Sequence, residues 1–161
     1  MSKLHMRTEG DTQIVITRHF AAPPDLVYRA HTEPALLQRW LLGPDGWTMP
    51  VCINEARPGG RFRYEWVDAK GNGFHITGEF VELQPGERIV HIERMHLPDP
   101  TPDSHVVTTF ASDGAGGTDL TMCMTLPDAA TRAAVLSSGM EHGLEDSYAR
   151  LERAVFAAPP A

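Results

Sequence analysis

The sequence predicts an α+β fold. One antiparallel sheet of seven strands wraps on a long C-terminal helix, with two short helices after the first strand, in the order β-α-α-β6-α. Three observations carry this. Apolar residues alternate with a period of two, with turn-rich breaks, from Trp47 to Leu126. A helical period precedes that region between Pro24 and Leu41. The helical period returns from Pro127 to about Ala157.

The first strand is QIVITRHF, residues 13 to 20, rich in β-branched side chains and closed by an aromatic. Pro23 and Pro24 suit a helix start, and Asp25 sits in the first turn, where the helix dipole favours an anion. Leu26, Val27 and Ala30 form its apolar face. Thr32 is the candidate N-cap of the second helix, in which Leu36, Leu37, Trp40 and Leu41 recur at helical spacing. The glycines and proline of LLGPDG, residues 41 to 46, end it.

Six strands come next. Trp47, Met49, Val51 and Ile53 form the apolar register of the first, and Phe62, Tyr64 and Trp66 that of the second. Phe74, Ile76, Gly78 and Phe80 give the third. RIVHIERMHL (88 to 97) and HVVTTFAS (105 to 112) are the next two, and Leu120, Met122, Met124 and Leu126 mark the last. DAKGNG, QPGE and DGAGG are the turns, and PDPTPD (98 to 103) is a longer loop. Consecutive strands on short turns make an antiparallel meander. In the final helix Asp128 is the candidate N-cap, and Leu136, Met140, Leu144, Ser147, Leu151 and Val155 fall on one stripe. Gly139 and Gly143 thin that helix, and a gap beneath it, lined by aromatic and Met side chains, is one reading beside a close-packed core.

The organisation read from these signals is a flexible N-terminus (1–12), a single domain (13–157) and a frayed tail (158–161). A chain of 161 residues fits one domain with a sizeable core. The net charge of −7 argues against a nucleic-acid partner and against adsorption to an anionic membrane. No apolar run reaches the ~18 residues of a membrane span, and the N-terminus lacks an apolar signal core, so the expected location is cytoplasmic. Cys52 and Cys123 lie far apart without CxxC spacing and read as free buried thiols. No metal site and no cofactor are expected.

The stretch NEARPGGRFRYEW, residues 54 to 66, sets a glycine pair between arginines. A phosphate cradle needs its glycines to lead into a helix N-terminus. Here they lead into an alternating strand, so Gly59 and Gly60 read as a turn, and Arg57 is expected to pair with a nearby carboxylate or carbonyl.

These motifs resemble a known superfamily. FAAPPDLVYRAHTEPALLQRW resembles the opening of START-like (SRPBCC, helix-grip, Bet-v-1-like) proteins through Phe20, Ala22, Pro23, Val27, Ala30, Thr32, Pro34 and Trp40. EARPGGRFR is similar to the hairpin of its branch of homologues of the activator of the heat-shock-protein-90 ATPase. GEFVELQPGERIV, GGTDLTM and GMEHGLEDSYARL resemble later elements of that branch. Two positions depart from it: Glu55 stands where Asp is usual, and Leu144 where Trp is frequent. The resemblance implies a helix-grip fold with a hydrophobic cavity between sheet and long helix, holding a lipid, polyketide or flavonoid-like ligand. Periodicity alone favours a solid core instead.

On that resemblance, the ligand-binding candidates on the helices are Trp40, Met140 and Leu144. Those on the strands are Phe62, Tyr64, Trp66, Phe80, Met95, Phe110, Met122 and Met124. The strand from 88 to 97 leaves its inward register open. If His91, Glu93 and Met95 face in, His91 and Glu93 form a polar pair inside an apolar pocket, able to orient a ligand or act as acid and base. If Val90, Ile92, Arg94 and His96 face in, Arg94 meets a ligand anion. His75 reads as part of a solvated sheet face, and His5 and His19 have no partner in spacing. His142 beside Glu141 and Glu145 reads as an exposed helix face. No nucleophile elbow and no HExxH occur.

The leading functional reading is a non-enzymatic domain that binds a small apolar ligand. A cyclase or hydrolase using His91 and Glu93 is the alternative. The third reading is a co-chaperone-like partner-binding module with a role in stress response. A homodimer is left open.

Overall fold

The computed structural model describes residues 3–96 and 99–156, so the expected tail at 158–161 and the first residue of the Pro/Asp loop, Pro98, lie outside the described residues. The elements are β1 (His5–Glu9), β2 (Gln13–Phe20), α1 (Pro24–Thr32), α2 (Pro34–Trp40), β3 (Trp47–Asn54) and β4 (Arg61–Asp68). They continue as β5 (Gly73–Gln84), β6 (Arg88–His96), β7 (Ser104–Ser112), β8 (Thr118–Thr125), α3 (Ala129–Ser137) and α4 (Met140–Leu151). A π-helical turn, Glu152–Phe156, closes the described chain. All strand pairs are antiparallel, in the order β1-β2-β8-β7-β6-β5-β4-β3. The helix-grip plan is therefore as expected.

Two expectations need correction. The sheet has eight strands, not seven, because the N-terminal segment expected to be flexible forms β1 and pairs with β2 from His5↔Thr17 to Glu9↔Gln13. HMRTE is mostly polar, and its place is set by an edge ladder of backbone bonds that side-chain periodicity does not report. The long C-terminal helix is broken. Asp128 caps α3 as expected, accepting from the Thr131 amide at 2.7 Å. Gly139 then adopts φ +83°, ψ +15°, a left-handed conformation that ends one helix and leads into the next. The predicted stripe divides with it. Ser147 and Leu151 are buried, Met140 and Leu144 are partly covered, and Leu136 is exposed, while Tyr148, outside the stripe, is also buried.

Two bulges decide which side chains face the core. Between Thr48 and Val51 the β3–β4 register shifts, so Met49 and Cys52 face inward while Ile53 is exposed. The expected apolar register Trp47-Met49-Val51-Ile53 therefore fails after Pro50, since one extra residue flips the rest of a strand. A second shift between Phe80 and Glu82 leaves Val81 outside and brings both Phe80 and Leu83 to the core.

The glycine pair is a turn. Gly59 has φ +81°, and a Cβ on Gly60 would lie 2.0 Å from the Glu55 carbonyl oxygen. One glycine thus supplies a backbone angle and the other supplies room. The Gly59 amide donates to the Phe80 carbonyl and the Phe80 amide to the Gly60 carbonyl, both at 2.8 Å, fastening the hairpin onto β5. Arg57 meets Glu55 at 3.8 Å on the surface.

The core lies between the inner sheet face and the helices. Trp40 is its hub: its indole N–H donates to the Ala30 carbonyl at 2.8 Å, and its ring stacks on Tyr148 with centroids 5.8 Å apart. Helix α4 is tied to the loop after α2. The Gly43 amide donates to Ser147 Oγ at 2.8 Å, and Arg150 donates to the carbonyls of Trp40 and Gly43.

Candidate functional site

The inner face of β4 and β5 carries a chain of rings. Phe80, Phe62, Tyr64, Trp66 and Phe74 succeed one another with centroid separations of 5.2, 5.1, 6.0 and 5.0 Å. Phe62 reaches across β5 because Gly78 has no side chain: a Cβ there would lie 2.3 Å from the Phe62 ring.

On β6 the open register is settled. His91 pairs with Phe80 and Val106, and Glu93 with Gly78 and Ser104, so His91, Glu93 and Met95 share the inner face. Arg94 lies on the outer face, bound to Glu79 at 3.0 Å and Asp103 at 2.7 Å. His96 stacks on His75 there with centroids 4.2 Å apart.

His91 Nε2 lies 2.7 Å from a Glu93 carboxylate oxygen, and Phe62 meets the imidazole edge to face at 5.3 Å. The dyad is not sealed: the His91 and Glu93 side chains are 17% and 24% exposed although they face the core. Cys52, Ile76, Met95 and Met122 on the same inner face are also only partly buried, as are Met140 and Leu144 on α4. What remains is a partly covered seam over the middle of the sheet, beside the buried Phe62, Tyr64 and Phe80.

Polar neighbours complete it. The Tyr64 hydroxyl donates to Asn54 Oδ1 at 2.6 Å, and Asn54 Nδ2 donates to the Thr32 carbonyl at 2.6 Å. Burial, followed by the field of Cys52 and Glu93, pushes the Tyr64 phenol far above its usual range, so it remains neutral. Burial also pushes the Cys52 thiol up to about 11, which keeps it protonated and a poor nucleophile. On α1, His31 donates from Nδ1 to the Val27 carbonyl at 2.7 Å. Its pKa falls to about 4, chiefly through burial, with the nearby His91 adding to the depression. His31 is therefore a neutral imidazole at pH 7.

Trp40, Phe62, Tyr64, Trp66, Phe80, Phe110 and Met124 are all buried, and Met95, Met122, Met140 and Leu144 lie partly covered. Trp66 is fixed by an N–H bond to the Leu41 carbonyl at 2.7 Å, and Phe110 packs edge on against Tyr28 and His31. His31, Asn54 and Cys52 were not among the candidates. Val27 and His31 at i,i+4 were a signal for the first, whereas the other two reach the inner face only through the β3 bulge. His19, which lacked a partner in spacing, meets Asp113 at 2.8 Å and helps hold that carboxyl down to about 2. His142 pairs with Asp146 at 3.4 Å rather than with either glutamate. Cys52 and Cys123 are free thiols. No group of three or more His, Cys, Asp or Glu among the described residues is placed to hold a metal ion. No helix among them is long and apolar enough to cross a membrane.

Two surface recesses lie elsewhere. One of ≈ 450 Å³ is bounded by Leu4, Leu136, Gly139, Glu141, His142 and Glu145. The other, ≈ 610 Å³, lies along β1, β2 and β8. Both are broadly open to solvent, and neither contains a ring of the inner-face chain.

Comparison with known families matches residues 21–155 to the model described as activator of Hsp90 ATPase homolog 1-like protein. The chain belongs to this family. No curated protein gives a significant match. Among solved structures, a crystal structure of a Rhodobacter sphaeroides protein is 30% identical, with a TM-score of 0.89, covering 96% of this chain and 99% of that one. Protein Ms6760 from Mycobacterium smegmatis shares the fold at 23% identity, with a TM-score of 0.84 over 97% of this chain and 98% of its own. An AHSA1-like protein from Aeromonas hydrophila shares it at 21% identity, with a TM-score of 0.75 and coverage of 92% and 98%. Membership of the activator-homologue family fixes the architecture around the His91–Glu93 seam and leaves the chemistry to its side chains.

Proposed function

We propose that this member of the activator-homologue family binds a small hydrophobic molecule, of lipid, polyketide or flavonoid-like class, between the inner sheet face and its C-terminal helices. The observation that carries the reading is the continuous ring chain ending at a polar dyad that the helices leave partly uncovered. Apolar rings supply burial, and a few convergent polar groups fix orientation, which is the usual composition of a small-molecule site. Phe62, Tyr64, Phe80, Met95, Met122, Met140 and Leu144 form the contact surface in this reading. The free thiols suit a reducing, cytoplasmic setting.

Titration with a flavonoid and with a medium-chain fatty acid, monitored by amide and methyl chemical shifts, tests it. The expected shifts cluster at Met95, Met122, Met140 and Leu144. Saturating ligand that leaves all four unmoved overturns the reading.

A second reading is favoured by one distance, the 2.7 Å contact of His91 Nε2 with Glu93. A carboxylate that orients an imidazole is the arrangement of a general base. In that case His91 accepts a proton from water or substrate during hydrolysis or cyclisation. Aryl-ester hydrolysis lost in both His91→Ala and Glu93→Ala supports this reading, and rates equal to wild type in both variants end it.

A further inference from the structure

Of the side-chain nitrogen and oxygen atoms fully shielded from solvent among the described residues, two have no hydrogen-bond partner: Arg18 Nε and His91 Nδ1. Arg18 donates from Nη1 to the His19 carbonyl and to Glu152, both local to its own end of the sheet. His91 Nδ1 is different, because it belongs to the inner-face dyad. A buried polar atom without a partner asks for an explanation.

Its chemical sense comes from the other ring nitrogen. Nε2 faces an acceptor-only carboxylate oxygen of Glu93 at 2.7 Å, so Nε2 carries the proton. In the neutral ring Nδ1 then bears a lone pair and no hydrogen. The surroundings repeat this polarity. The Tyr64 hydroxyl proton is spent on Asn54, and the His31 Nδ1 proton on Val27. The indole protons of Trp40 and Trp66 are spent on the Ala30 and Leu41 carbonyls. Around the dyad the acceptors are His91 Nδ1, the Glu93 carboxylate and the Tyr64 oxygen, while the Cys52 thiol and the Ser104 and Thr108 hydroxyls on the same inner face are the groups able to donate. The dyad itself receives hydrogen bonds. It gives an ionised ligand no cation to meet, and the Glu93 charge opposes a bound anion.

The imidazole also sits in an aromatic frame, with Phe62 at 5.3 Å and Phe80 at 6.4 Å, both near edge to face. Rings of a planar ligand pack favourably into such a frame.

Building on the hydrophobic-ligand reading, we propose that the ligand is a neutral hydroxylated arene whose phenolic O–H donates to His91 Nδ1. Specificity then lies in the donor. A site built to receive a hydroxyl proton discriminates against the analogue that lacks it, because the buried acceptor stays unpaired when the analogue binds. A ketone or a methyl ether of the same shape fills the same seam and leaves Nδ1 empty.

The test uses the full chain with two matched probes, 2-naphthol and 2-methoxynaphthalene. Calorimetric titration is expected to show 2-naphthol binding about tenfold more tightly than the ether. In His91→Phe the ratio of the two affinities is expected to fall from about tenfold to about one. Nitrogen-15 spectra of the wild-type imidazoles supply a readout that needs no variant. His91 is expected to carry its proton on Nε2 in the free protein, and its Nδ1 resonance to move with 2-naphthol but not with the ether. Equal affinities, or a free-state proton on Nδ1, overturn the donor assignment while leaving the hydrophobic-ligand reading in place. Failure of both probes to bind at their solubility limits, with the sheet methyl resonances unmoved, overturns that reading and this inference with it.

Discussion

Trp40→Ala is expected to destabilise the protein by about 3–5 kcal/mol, the range for removing a large aromatic from a well-packed core. Trp40 is 1% exposed. Its ring bridges three elements, stacking on Tyr148 of α4, meeting His31 of α1 at 4.9 Å, and donating to the Ala30 carbonyl. Alanine leaves a void among backbones that other bonds hold in place, since Arg150 fastens α4 to the same loop. Collapse around the void is thereby limited, and the cost sits in the upper part of the range. Trp40→Phe keeps the stacking surface but loses the N–H, so the Ala30 carbonyl loses a donor; about half the effect is expected. Urea denaturation midpoints measure both. A loss below about 1 kcal/mol for Trp40→Ala would show that the interior is loosely filled there.

The second large effect is acid sensitivity centred on His31. Burial lowers its folded-state pKa to about 4, against 6.5 for the free imidazole. The unfolded chain therefore binds a proton near pH 6.5 that the folded chain refuses until about pH 4. The contribution of neutral His31 is complete above pH 6.5 and is lost as the pH falls through that window, reaching on the order of 3 kcal/mol at its lower end. Asp113 is held to about 2 by His19 and by backbone amides, and it acts in a separate window below the ordinary aspartate range. His75 is also lowered, through partial burial and the charges of Arg63 and His96, but it lies on the outer sheet face where water screens it. Stability measured between pH 7 and 4.5 is expected to fall steeply in the wild type and much less in His31→Leu. Parallel slopes would remove His31 as the origin.

Legibility in the sequence tracked the physics of each signal. Helices α1 and α2, the cap at Asp128 and the inward rings of β4 were readable because each depends on residues a few positions apart. The turn at Gly59–Gly60 was readable because Arg61 to Trp66, directly after it, alternate as a strand. The activator-homologue family was readable because several spaced motifs occur in order. Four features were not, the first being the break of the C-terminal helix at Gly139. β1 is an edge strand of backbone pairing. The β3 face turned over at a single-residue bulge. The inward register of β6 was undecidable because both of its faces mix apolar and charged residues.

The sequence by itself determined the order of elements from β2 to β8, the family and the apolar rings that the sheet turns inward, since periodicity and local motifs are properties of neighbours along the chain. Only the tertiary structure decided that His91 and Glu93, rather than Arg94, face the helices. It also brought Asn54 to Tyr64 and left His91 Nδ1 without a partner. These depend on strand register and on how far α3 and α4 cover the sheet. Register is fixed by ladders between distant segments, and one inserted residue reverses it.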